Sequence, residues 1–296
     1  MPTRRAVLLG GAGAMAAGLA GAGYGIEQGV LPGRPFLQAH LGLNGADGVI
    51  PDIEPGRVIE DSFVSEARGG IETGWALILP PGEQADGLVV ALHWLGADHT
   101  TLTGPRLGLD RFLAQHVADG GTPFAIATVD GGRGYWHPHD GDDAGAMVLD
   151  ELLPMLAERG HPTDRPAFLG WSMGGYGALR LAAARSDATT AVVASSPALW
   201  SDPGDASGSG FSSEAEYERY SVFHDQEQLS GVPTRVDVGT GDPFYRDVQD
   251  YVQGFPDGAD VTSTFEPGGH TPGYWRRMLP AQLRFLGTNL SQQPQV

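Results

Sequence analysis

Residues 167–184 read AFLGWSMGGYGALRLAAA. The apolar run Ala167–Trp171 predicts a short strand buried on both faces. Met173–Ala184 predicts a helix rich in Gly and Ala. Between them Ser172 stands in Gly170-Trp171-Ser172-Met173-Gly174, a G-x-S-x-G pattern. A serine on so tight a turn has a strained backbone. Gly on either side lets neighbouring chain pass without a Cβ clash. The turn lifts the hydroxyl above the sheet and beside the first amides of a helix, where developing negative charge is favoured. Strand before and helix after is the context in which this pattern marks a nucleophile.

Working outward, the same alternation continues on both sides. Gly87–His93 (GLVVALH) and Phe124–Val129 (FAIATV) are further buried strands, with a helix over Leu107–Val117 between them. Val58–Val64 and Thr73–Leu79 are strand-like and joined through Gly69-Gly70, a hairpin signal. Ala144–Ala157 has helical spacing, with Pro154 as a kink. After the elbow come a strand at Ala191–Ser195, a strand at Arg235–Val238, a helix at Arg246–Gly254, a strand at Val261–Phe265 and an amphipathic helix at Tyr274–Leu290. Buried strands alternating with helices predict an α/β fold, a mostly parallel central sheet with helices on both faces. Ligand sites in such sheets lie beyond the carboxyl ends of the strands. Residues 23–57, with several Pro and Gly, read as a linker or extended lead-in, and 58–296 as the catalytic domain. Residues 201–221, rich in Ser, Gly, Asp and Glu, break the alternation as a small lid or a surface loop, with Phe211 and Tyr217 as its apolar contacts.

A serine nucleophile needs a base, and the base an orienting acid. The order expected with this elbow is Ser, then acid, then His. Of nine histidines only His224 and His270 follow Ser172. His270 sits in the Gly-rich stretch Glu266–Thr271, directly after a strand, and is the candidate base. Asp242, in Gly239-Thr240-Gly241-Asp242-Pro243-Phe244 beyond the strand Arg235–Val238, is the candidate acid. Asp247 and Asp250 fall on the following helix and Asp237 within the strand. With Asp242 as acid, His224 precedes it and drops out.

A tetrahedral intermediate needs two donors for its oxyanion. The N–H of Met173 is one. The second is expected from the loop His93-Trp94-Leu95-Gly96, at Leu95 or else Trp94, with His93 holding that loop through backbone bonds. Trp94, Trp136, His137 and Trp171 are candidate pocket residues, because Tyr135–His139 follows a strand and should face the same rim as Ser172. Asp140-Gly141-Asp142-Asp143 lacks the spacing of a calcium loop, and acidity at a helix start explains it. No metal and no cofactor is expected.

The composition narrows the chemistry further. The chain has 296 residues, no Cys and a net charge of −18, and all 18 of its basic residues are Arg. Thiol nucleophiles, Cys-based metal sites and lysine Schiff bases are excluded. The acidity argues against nucleic acid and anionic lipid surfaces. Residues 1–22 carry Arg4-Arg5, then an uncharged Gly/Ala/Leu stretch and small residues at Ala20-Gly21-Ala22. This predicts a signal peptide of the twin-arginine type, or an uncleaved anchor, and so export to the envelope or beyond.

With these residues in hand, the chain resembles the α/β-hydrolase superfamily. Within it, the likeness is to the esterase group that includes esterase D (S-formylglutathione hydrolase) and the mycobacterial mycolyltransferases. The resemblance rests on residues 170–179, on 239–244 and on Gly-Gly-His-Thr-Pro-Gly-Tyr-Trp at 268–275. It implies a serine hydrolase with triad Ser172, Asp242 and His270, acting on small-molecule or lipid carboxylic esters. Alternatives are an acyltransferase to a sugar hydroxyl and a non-catalytic exported binding module. Trp94, where the group usually has Gly, departs from the pattern. The absence of Cys and the export signal set the chain apart from the esterase D branch.

Overall fold

The central strands are apolar at nearly every position, and each is covered on both faces. The computed structural model describes residues 33–292 except Ser207 and Ser209. Its strands are β1 (Val58–Ser65), β2 (Ile71–Ile78), β3 (Leu88–Leu92), β4 (Ala125–Val129), β5 (Ala167–Trp171), β6 (Val192–Ser195), β7 (Thr234–Gly239) and β8 (Val261–Glu266). They form one sheet in the order β1-β2-β4-β3-β5-β6-β7-β8. β1 and β2 form an antiparallel hairpin, turned by Gly69 and Gly70 at φ 69° and 85°, values that suit glycine. β2 is antiparallel to β4, and every pair from β4 to β8 is parallel.

Alternating residues of each strand feed two cores. Val90, Phe168 and Val236 point to the face covered by α4 (144–158) and α5 (Met173–Ala184). Val89, Leu169 and Val193 point to the other, covered by α3 (Leu109–Ala118) and α9 (Pro272–Ser291). A fully buried Leu, Val or Phe contributes about 1.5–3 kcal/mol, so slipping one strand by a residue would put its side chains on the wrong faces. Parallel pairing brings the carboxyl ends of β3, β5, β7 and β8 to one edge. The loops there carry the site.

Two helical features depart from the sequence reading. α4 accommodates Pro154 without breaking. Its residues Met147–Leu152 form a π turn, in which the Leu153 N–H reaches back five residues to the Val148 carbonyl. The wider turn makes room for a proline that has no N–H of its own. The stretch read as a linker carries α1 (Arg34–His40) and docks on the body. Arg276 donates to the Gly48 carbonyl at 2.7 Å, Arg277 to the Ala46 carbonyl at 2.6 Å, and the Gly48 N–H to the Gly273 carbonyl at 2.8 Å.

Short helices complete the chain: α2 (His99–Thr103), α6 (Pro203–Ala206), α7 (Glu214–Tyr220) and α8 (Tyr245–Gln253). α6 and α7 lie in the stretch 201–221, whose Phe211 and Tyr217 are buried in the first core. Among the described residues no helix is long and apolar enough to cross a membrane. The expected signal segment, 1–22, lies outside the described residues.

Candidate active site

Ser172 stands between the last residue of β5 and the first of α5, at φ 55° and ψ −118°. A non-glycine residue held there stores about 1–3 kcal/mol of strain. Its surroundings fix it. The Ser172 N–H donates to the Ser195 carbonyl at 3.1 Å, and the Ser172 carbonyl accepts from Ala198 at 3.0 Å. The flanking glycines are required by close approach. A Cβ on Gly170 would overlap the Gly174 carbonyl, and one on Gly174 the carbonyls of Leu92 and His93.

The structure brings the three distant residues of the sequence reading into one line. The Ser172 hydroxyl donates to His270 Nε2 at 2.8 Å. His270 Nδ1 donates to Asp242 Oδ2 at 2.8 Å. The other oxygen of Asp242 accepts the Phe244 N–H at 2.9 Å. The carboxylate accepts only, so it fixes the proton on Nδ1 and leaves Nε2 as the acceptor for Ser172. Asp242 has no side-chain exposure and His270 has 24%. The acid is thus shielded, while the ring reaches the surface. The loops that hold the pair are themselves joined. The Gly241 N–H donates to the Gly268 carbonyl at 2.7 Å and the Thr240 N–H to the Glu266 carbonyl at 2.8 Å. Thr271, next to His270, caps α9 through the Tyr274 N–H.

Met173 heads α5, and a helix leaves its first amides without internal acceptors. The loop after β3 is held by the ring of His93. The Gly131 N–H donates to His93 Nε2 at 3.0 Å, so Nδ1 carries the proton and donates to the Trp94 carbonyl at 2.9 Å. Burial pushes the pKa of this imidazole down. The same Trp94 carbonyl accepts the Ala97 N–H at 3.0 Å, closing the loop around Leu95. Leu95 itself is 38% exposed.

Residues 143–286 match the model of a family described as "Putative esterase", a span that contains Ser172, Asp242 and His270. Among solved structures, a ferulic acid esterase superposes with a TM-score of 0.70 at 20% identity, over 80% of this chain and 100% of that one. An S-formylglutathione hydrolase from Agrobacterium tumefaciens gives 0.65 at 17%, over 81% and 98%. The fluorophosphonate-binding serine hydrolase F of Staphylococcus aureus gives 0.61 at 19%, over 79% and 99%. A comparison with curated proteins found no match.

The chain has the α/β-hydrolase fold, and its residues 143–286 match the esterase family. It is a carboxylic ester hydrolase.

The pocket residues expected for this esterase need correction. Trp136 and Trp171 have no exposure, His137 has 1% and Trp94 has 6%. Trp171 points into the core beside α9. Trp136 fills the space that Gly131 and Gly177 leave and stands edge-on to His93, ring centroids 5.2 Å apart. His137 is stacked under Phe211 at 4.9 Å, and its pKa is pushed down to about 4 by burial, His139 and Arg180. All four side chains are buried, and Trp94 leans on Trp275 with ring centroids 4.9 Å apart. Two aromatic rings stand beside His270: Phe244, half-buried, at 5.3 Å and Trp275, buried like the others, at 5.4 Å. Trp200 stands edge-on to Phe244 at 5.4 Å. Phe244 and Trp275 lie in the two sequence stretches that supply Asp242 and His270, which is the signal that could have found them. Trp200 follows β6, and no local pattern singles it out.

Proposed function

We propose that this esterase works through an acyl-enzyme on Ser172. His270 Nε2 takes the Ser172 proton as Oγ attacks the ester carbonyl. The N–H groups of Leu95 and Met173 stabilise the oxyanion. The protonated His270 hands its proton to the leaving alcohol. Water, activated by the same nitrogen, then releases the acid. Asp242 holds the ring in the Nδ1-protonated tautomer and stabilises the imidazolium. The observation that carries the reading is the unbroken line Asp242–His270–Ser172, with both bonds at 2.8 Å. The Leu95 and Phe244 side chains beside it offer apolar surface to the substrate.

The test is hydrolysis of p-nitrophenyl acetate and longer p-nitrophenyl esters, with labelling by a fluorophosphonate probe. The expected result is that Ser172→Ala loses at least about 10³-fold in kcat/KM and all labelling. Equal hydrolysis by the variant would overturn the assignment. We also read residues 1–22 as an export signal, supported by Arg4-Arg5 ahead of an uncharged stretch. The N-terminal residue of the mature protein, recovered from the culture medium or envelope, tests it.

A further inference from the structure

A second cluster of histidine and carboxylate lies away from Ser172. His137 and His139 sit on the loop after β4, and Glu216 sits in the first turn of α7. Glu216 Oε1 is 2.9 Å from His139 Nδ1 and 3.4 Å from His137 Nε2. One ligand atom from each residue lies within 4.8 Å of the other two. The second polar atoms of Glu216 and His137 are already engaged. Glu216 Oε2 accepts the Ser212 N–H at 2.5 Å, which leaves Oε1 for the cluster. The Tyr176 hydroxyl donates its only proton to the Tyr220 carbonyl at 2.7 Å. At 3.2 Å from His137 Nδ1 it can therefore only accept, and Nδ1 is the protonated nitrogen. His137 Nε2 is left fully buried with no hydrogen-bond partner, its lone pair turned toward a carboxylate oxygen. Two acceptors facing each other inside a protein are unfavourable unless something positive lies between them.

We propose that His137, His139 and Glu216 bind a zinc ion that ties α7 to the loop after β4. Two imidazoles and a carboxylate suit zinc. A tetrahedral shell with ligands about 2.0–2.1 Å from the metal puts ligand atoms roughly 3.4 Å apart, near the 2.9 and 3.4 Å that separate Glu216 Oε1 from the two imidazoles. The Tyr176 hydroxyl and the Ser212 N–H orient the ligands from behind, as outer partners do in zinc sites. The proton between His139 Nδ1 and Glu216 leaves for solvent as the ion enters. A cavity of about 270 Å³ lined by Arg133, Gly134, His139, Gly210, Phe211 and Ser212 gives the ion a way in and a place for a water as fourth ligand. The ion joins parts of the chain about 80 residues apart, so it stabilises the fold by holding down the inserted segment. It reaches the ester site only indirectly, through the stack His137–Phe211–Trp200–Phe244.

The test uses the full-length protein with no affinity tag, stripped by chelator and dialysed. Zinc is titrated by calorimetry, and the melting temperature is followed with and without zinc, with magnesium as control. The expected result is one zinc per chain, and a melting temperature higher by roughly 5 °C at a hundredfold excess over Kd. Magnesium produces no shift. His139→Ala and Glu216→Gln, checked as folded by circular dichroism, each lose at least about tenfold in zinc affinity and most of the shift. The chain has no Cys, so adventitious thiolate binding cannot mimic the result. Absence of stoichiometric zinc in the unaltered protein overturns the proposal, as does unchanged affinity in both variants. The readout is metal binding, independent of the assignment of Ser172.

Discussion

The loops after β3 and after β8 each place a histidine just beyond the carboxyl edge of the sheet, and the two rings are held in opposite ways. His93 is fully buried, and both of its nitrogens bond to backbone groups of loops. His270 is partly exposed, and both of its nitrogens bond to side chains, one acidic and one a hydroxyl. Backbone partners turn an imidazole into a brace. A carboxylate on one side and a hydroxyl on the other make it able to take and return a proton. Position at the sheet edge does not distinguish the two. Their partners do.

Substitution at the two positions separates these roles. The largest effect is expected for His270→Ala, a fall of about 10⁴-fold or more in kcat/KM for p-nitrophenyl esters with the melting temperature nearly unchanged. Asp242→Asn should follow, losing about 10³- to 10⁴-fold, because the amide can donate and permits the wrong tautomer of His270. Steady-state kinetics on the purified variants measures both. For His93→Ala the order reverses. It leaves the Gly131 N–H and the Trp94 carbonyl without their buried partner, and chemical denaturation should show a loss of about 2–4 kcal/mol. If His93→Ala were inactive yet fully stable, the contrast between the loops would collapse. The smallest effect is on pH dependence. The pKa of His93 is lowered in the folded protein by burial, so the unfolded chain binds a proton more readily. Stability is then fully present above about pH 6.5, the unfolded value, and declines as pH falls toward the folded value. His116, also lowered by burial, adds to the same slope. Denaturation midpoints between pH 5 and 8 should show the decline, and His93→Gln should make it shallower.

Much of this was legible in the sequence because the signals are local. The runs GLVVALH, FAIATV and AFLGW are strands because two covered faces demand unbroken apolar residues. Ser172 is marked by glycines that a tight turn demands. Asp242 and His270 follow once the order of the loops is known. What sequence left hidden depends on contacts across long separations. Trp136 and His137 follow a strand as site residues do, yet Trp136 fills the space beside Gly131 and Gly177, and Phe211, Tyr220 and Glu216 close over His137. Glu216 looks like one more acidic residue on a polar helix. Only the packing of α7 brings it to two histidines about 80 residues earlier. The prolines and glycines of 33–57 read as a linker, because nothing local announces that Arg276 and Arg277 will hold its carbonyls.

That clasp also sets the order in which the enzyme can be completed during synthesis. Arg276 and Gly48 are 228 residues apart, so the lead-in leaves the ribosome long before its partners exist. At about 5–20 residues per second, it waits more than about ten seconds. The loop carrying His270 is bracketed by the same contacts, since Arg277 binds both Glu266 and the carbonyl of Pro267. Ser172 is made 98 residues before the His270 that its hydroxyl bonds to. A nascent chain that stops short of His270 lacks the line to Ser172, and the carbonyls of Ala46 and Gly48 are fastened only when Arg276 and Arg277 arrive.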